Sequence, residues 1–201
     1  MIWHMEAEPP FNLDEIRRYM RLGPGGGNMQ GVETLLRECL ADACGLMKRE
    51  VCYAVYPVHA EEGGVDLTFA RVRSYDLARA LSGCGQAVLF AATAGFAFDA
   101  AIARAQALSE ARGLVMHAIG AERVEALCDA FCGFIKQTAA CRGLTLRPRF
   151  SPGYGDLPLS FQTAVAGALE MEKIGIVLGE GLLMRPSKSV TALIGLAGKD
   201  M

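Results

Sequence analysis

Between Gln30 and Arg49 the apolar positions Val32, Leu35, Leu36, Cys39, Leu40, Ala43, Leu46 and Met47 recur at intervals of three and four. That period predicts one long amphipathic helix with a single buried face. At residue 51 the pattern changes. Val51 to Val58 is rich in β-formers, Glu61-Glu62-Gly63-Gly64 carries turn residues, and Val65 to Val72 returns, so a hairpin is expected. Ser74 predicts the cap of a helix through Leu81. Gln86 to Thr93 is a continuous apolar run that stops before Gly95, as a buried strand would. Phe96 to Leu108 and Glu110 to Ala140 read as helices. The second is expected to bend at Gly113, Gly120 or Gly133, because a mid-helix glycine costs roughly 1 kcal/mol against alanine. Strands are predicted over Leu144 to Phe150, Ile174 to Leu178 and Ser189 to Leu196, with a Ser160-capped helix reaching about Glu172.

Residues 1–11 read as a flexible arm whose Trp3 and Phe11 can pack back on the body. Asn12 then reads as an N-cap with Glu15 three residues on, a capping-box spacing, and a short helix follows to Arg21. The glycine-rich stretch Leu22 to Asn28 reads as a flexible connector. It has no strand before it and no Lys-Ser/Thr after it, so the phosphate-loop reading fails. Residues 12–201 are expected to form a single domain. Helices and strands alternate without βαβ regularity, which gives the α+β class.

The chain has 201 residues, 52% hydrophobic and 21% charged, with a net charge of -2. That balance favours neither nucleic acid nor an anionic membrane surface as a partner. The longest apolar run, Ala87 to Ala103, is broken by Thr93, Gly95 and Asp99 and falls short of the ~20 residues a span needs. No signal peptide is visible, and a cytoplasmic location is expected. Seven cysteines, an odd number, point to reduced thiols. Cys128 and Cys132 are four apart on one predicted helical face, but no matching Cys or His accompanies them as zinc would require. They read as buried hydrophobes.

The candidate chemistry lies in Arg147-Pro148-Arg149-Phe150-Ser151-Pro152-Gly153-Tyr154-Gly155-Asp156. An arginine fork grips a carboxylate with two hydrogen bonds. Gly153 lets backbone press on a ligand where a Cβ would clash. Tyr154 adds an aromatic face with a polar tip. Together they suit a small zwitterion. Arg147, two residues before Arg149 on a strand, shares its side-chain direction. Asp156 is expected to serve the turn rather than a ligand. Lys188 and Ser189 either line the same cleft or sit in an exposed turn.

The Arg-x-x-x-Gly-Tyr pattern of Arg149, Gly153 and Tyr154, in the wording RFSPGYGDLPL, resembles the S-adenosylmethionine (SAM) motif of the activation, or reactivation, domain of cobalamin-dependent methionine synthase. Its small stand-alone members are the nearest in wording. Gly83 to Gly95, Val124 to Asp129 and Lys173 to Leu196 follow in family order. The resemblance implies a twisted, mainly antiparallel sheet wrapped by helices. It implies that Arg149 takes the methionyl carboxylate, that Phe150, Ser151, Pro152 and Gly153 hold the adenosine by their backbone, and that Tyr154 faces the corrin. The implied cofactors are SAM and a cobalamin carried by a separate methionine synthase core. The implied role is reductive remethylation of that cobalamin, with a flavoprotein-type electron donor acting on the complex. The same residues leave open a SAM-binding activator of another corrinoid methyltransferase. An independent methyltransferase is disfavoured, since Gly83-Cys84-Gly85 and Gly179-Glu180-Gly181 lack the strand-loop-helix context of a nucleotide fingerprint. Larger members carry an acid where this chain has Arg21, and a tyrosine where it has Ile194. His117-Ala118-Ile119-Gly120 has the His-x-x-Gly of a corrinoid ligand motif, but Val115 stands at its acidic position. His117 is therefore expected to be an ordinary helical histidine.

Overall fold

The computed structural model describes residues 1–21 and 29–198. The glycine-rich connector lies outside the described residues. The main sheet has five antiparallel strands: β1 (Trp3–Glu6), β2 (Glu50–Pro57), β6 (Cys84–Thr93), β10 (Ser189–Gly198) and β7 (Leu144–Leu146), in that spatial order. Between β2 and β6 the chain makes a small sheet of β3 (His59–Glu61), β4 (Gly64–Asp66) and β5 (Arg71–Arg73). A third sheet pairs β8 (Val177–Leu178) with β9 (Met184–Arg185). The expected α+β class and helix-wrapped antiparallel sheet are present.

Helices cover both faces of the main sheet. On one, Val51, Val88, Phe90, Ala92, Ala192 and Ile194 pack under Leu127, Cys128, Phe131 and Ile135 of α5 (Glu110–Ala140). On the other, Cys52, Ala54, Leu89, Ala91 and Leu193 meet Phe161, Val165 and Leu169 of α6 (Phe161–Leu169). Burial on both sides explains why β6 reads as an unbroken apolar run. A further core joins α1 (Leu13–Tyr19), α2 (Met29–Ala43), α4 (Phe96–Leu108) and α5 around Ile16, Leu36, Phe98 and Ile119. Among the described residues no helix is long and apolar enough to cross a membrane.

Several expectations are corrected. Residues 1–11 are not a loose arm, because Trp3–Glu6 pairs with β2 as an edge strand. Trp3 stacks on Tyr53 at 5.4 Å, Met5 enters the same core, and Ile2 packs on the opposite face, so alternation anchors the strand. The proposed hairpin does not form between Val51–Val58 and Val65–Val72. The first pairs with β6 and the second splits into β4 and β5. Asn12 does cap α1, but Glu122 of α5, not Glu15, accepts from its backbone N–H at 3.0 Å. The helix after Ser160 ends at Leu169, where Glu170 turns left-handed and a 3-10 turn follows over Met171–Ile174. Of Ile174 to Leu178 only Val177 and Leu178 are strand. Helix α5 runs through its glycines, and two of them are contacts. A Cβ on Gly113 would stand 2.9 Å from Gln106, and one on Gly120 2.5 Å from Phe98.

Candidate functional site

Strand β7 stops at Leu146 because the next-but-one residue, Pro148, has no N–H to give a ladder. Pairing with β10 resumes at Phe150, whose N–H donates to the Leu193 carbonyl at 2.9 Å and whose carbonyl accepts from Leu193 N–H at 2.8 Å. Leu146 stands opposite Leu196 and Phe150 opposite Leu193, so this side of the pair carries one extra residue. That is a bulge, and a bulge re-aims side chains. It separates the two arginines that strand alternation placed together. Arg147 is exposed and turns to the Ser82 carbonyl, 3.4 Å from its Nη2. Arg149 crosses to α5, where its Nη2 donates to Glu125 at 3.0 Å and to Asp129 at 3.1 Å. These acids are one helical turn apart on the same face.

After Phe150 the chain folds into a compact turn. Gly153 N–H donates to the Leu157 carbonyl at 2.9 Å, and Leu157 N–H to the Tyr154 carbonyl at 3.0 Å. Gly153 adopts φ +89°, and a Cβ there meets only Leu159 at 3.5 Å, an ordinary contact. The positive φ alone already favours glycine at this position. Gly155 is the crowded one: at φ +54° its Cβ would lie on the Asp76 carboxylate. Asp156 has the turn role expected. It accepts from Ser74 Oγ at 2.5 Å, Tyr75 N–H at 2.7 Å and Asp76 N–H at 3.1 Å. Its own N–H donates back to Asp76 at 3.2 Å. Turn and α3 (Tyr75–Ala80) are thereby locked together at the helix N-terminus. The Ser74 hydroxyl, with the two backbone N–H groups, holds the Asp156 carboxyl below its usual range.

A cavity of about 460 Å³ opens beside this turn. Its walls are Arg149, Phe150, Ser151, Pro152 and Tyr154 from the motif, Glu125 from α5, Gln162 from α6, Leu182–Met184, and Ser189–Ala192 of β10. The motif residues predicted as a site are thus brought together, except Gly153, which shapes the turn without lining the cavity. Tyr154 is no core aromatic: it stands at the rim, 68% exposed, near Leu183 at 66%. Ser189 lines the cavity and donates from Oγ to Thr93 Oγ1 at 2.9 Å. Lys188 does not line it; its stem lies over Gly120, and burial lowers its ammonium pKa against the pull of Asp99.

Arg21 and Ile194 are absent from the cavity wall. Ile194 is buried under α5. Tyr19, near the end of α1, has its phenol pKa raised by burial first and then by the charge of Glu125. Cys128 sits in the core beneath Arg149, and burial pushes its thiol up to about 12, so it stays protonated. Among the described residues no group of His, Cys, Asp or Glu has the arrangement of a metal site. His117 is an exposed helical residue.

Sequence reasoning missed Glu125, Gln162, Thr191 and the Leu182–Met184 wall. The acid pair at Glu125 and Asp129 was visible as an i, i+4 spacing. Gln162 and Thr191 were single polar residues inside apolar runs.

No family model and no curated protein matches the chain. Among solved structures its fold is similar to that of the MetH reactivation domain bound to AdoHcy. The TM-score is 0.67 at 15% identity, over 97% of this chain and 78% of that one. The chain therefore has the reactivation-domain fold that the motif resemblance implied.

Proposed function

We propose that this protein binds SAM in the cavity beside Arg149 and presents it to a cobalamin held by a separate methionine synthase core, in the cytoplasm. The observation that carries the reading is the convergence of the Arg-x-x-x-Gly-Tyr turn on a ligand-sized cavity, in a fold whose solved counterpart holds AdoHcy.

The residues fit such a ligand. Arg149 offers a fixed cation for the amino-acid carboxylate. Glu125 offers a carboxylate for the ammonium or the sulfonium. Phe150 and Tyr154 offer surfaces for a flat heterocycle. Glu125 and Asp129 hold the guanidinium before any ligand arrives, which lowers the entropy lost on binding. The exposed rim at Tyr154, Leu159 and Leu183 gives the open end an apolar surface for a partner that covers it. SAM would supply a methyl cation and leave as S-adenosylhomocysteine, and the partner's corrinoid, reduced by one electron from a flavoprotein-type donor, would take up that methyl. This chain's part is to orient the donor and to exclude water at the mouth.

The test is a reconstitution. A methionine synthase core lacking its own reactivation domain is inactivated by oxidation of its cobalamin. It is then given SAM, a reduced flavoprotein and this protein, and methylcobalamin is followed by absorbance. Methylcobalamin should return with the wild type and fail to return with Arg149→Ala. No return above the control without this protein would contradict the proposed role.

A further inference from the structure

Among the described residues, the buried side-chain polar atoms without a hydrogen-bond partner are Glu122 Oε2, Arg123 Nε and Gln162 Nε2. The first two belong to one buried ion pair on α5, packed against the start of α1. The third belongs to a residue in the cavity wall. Gln162 is 2% exposed, and its Oε1 accepts from Thr191 Oγ1 at 2.9 Å. Thr191, itself 3% exposed, thus fixes the amide on the floor between α6 and β10. What remains is one buried N–H₂ group with no acceptor. A buried donor left unmade keeps its full desolvation penalty, which an acceptor from outside the chain would relieve.

We propose that Gln162 is a specificity residue that donates from Nε2 to an uncharged acceptor on the nucleoside half of the ligand, a ring nitrogen or a hydroxyl. The inference rests on the SAM reading and deepens it. A neutral amide in a wall shared with Val190 and Ala192 is a poor match for a carboxylate, which the Arg149 guanidinium attracts more strongly. Two different donors then read two different halves of one molecule. Arg149 takes the charged amino-acid end, and Gln162 takes the uncharged end. Loss of a hydrogen bond from a site built for it discriminates strongly, because the abandoned buried donor finds no water.

The experiment is calorimetric titration with two probes, S-adenosylhomocysteine and 5′-methylthioadenosine. The second keeps the nucleoside and lacks the amino-acid end. Gln162→Met should weaken both by a similar factor, roughly tenfold. Arg149→Ala should weaken S-adenosylhomocysteine alone. Gln162→Met strands the Thr191 hydroxyl, so the double variant Gln162→Met/Thr191→Val is measured beside it. Replacing both partners by apolar groups is close to neutral for stability. The double variant should therefore melt near the wild-type temperature and still bind both probes weakly. A glutamine with only a structural role would lower the melting temperature and leave both affinities unchanged, which overturns the inference. Weakening confined to S-adenosylhomocysteine overturns it as well, by placing the amide at the amino-acid end. Binding that depends on Arg149 but not on Gln162 leaves the SAM reading standing. A wild type that binds neither probe defeats both.

Discussion

Arg149 leaves the sheet at a bulge and ends between two carboxylates, 29% of its side chain still exposed. Its charge is thus held in one orientation beside the cavity, where a flexible lysine would not be. The two turn glycines carry different constraints and make an ordered prediction. Gly153→Ala meets only Leu159, so it costs the strain of a left-handed alanine, about 1–2 kcal/mol. Gly155→Ala adds a collision with Asp76 to the same strain and should cost more. Urea unfolding of both variants checks the order; equal midpoints would mean that Asp76 moves aside freely. At this scale the motif itself was legible, because Arg, Gly and Tyr are read by type and spacing. The choice between Arg147 and Arg149 was legible only through the family resemblance. Alternation alone put them side by side, and the bulge that parts them is a property of pairing with Leu193 and Leu196. Gln162 and Thr191 were hidden because neither residue has meaning until α6 lies on β10.

The first residues are bound to α5 by a buried pair. Arg123, 4% exposed, donates to the carbonyls of Pro9 at 2.7 Å and Pro10 at 3.3 Å. It also lies over the Phe11 ring at 4.4 Å. Glu122, 2% exposed, accepts from Asn12 N–H and from Arg123 at 3.3 Å. Arg123→Met should cost roughly 3–5 kcal/mol at neutral pH, because it leaves a buried carboxylate without its cation. Denaturant unfolding measures it, and a loss below about 1 kcal/mol would show that the pair is dispensable. Burial raises the Glu122 carboxyl above its ordinary 4.5, against the Asn12 N–H and Arg123. The folded protein thus binds this proton more tightly than the unfolded chain. Stability from this group is complete below the unfolded value and falls as pH rises through the folded one. Glu122→Gln leaves Arg123 without its counterion and should be the less stable protein at low pH, but it should lack that fall, so its deficit against wild type narrows as pH rises above the ordinary carboxyl range. Parallel profiles would contradict the assignment. Helices α4 and α5 were legible to their ends, since a 3.6-residue period and the Ser109 boundary mark them locally. The hairpin was not, because β-rich composition identifies strands but not partners, and β2 finds its partner β6 far along the chain.

Over the whole molecule, β6 and β10 form a spine buried on both faces, and the cavity opens where β10 begins and α6, α5 and the motif turn converge. That convergence of segments distant in sequence builds a site no single segment contains. It also makes the site sensitive to the fold: a ligand that bridges α5, α6, β10 and the turn should raise the melting temperature as its concentration rises. The class and the wrapped sheet were legible from alternating periods and from the resemblance. The edge strand Trp3–Glu6 was not, since four residues carry too little periodicity to announce a strand. If SAM occupies the cavity beside Arg149, titration calorimetry must separate the wild type from Arg149→Ala. Saturable binding by the wild type is expected, with a loss of roughly 1.5–3 kcal/mol in a folded Arg149→Ala. Equal affinity in the two proteins would contradict it.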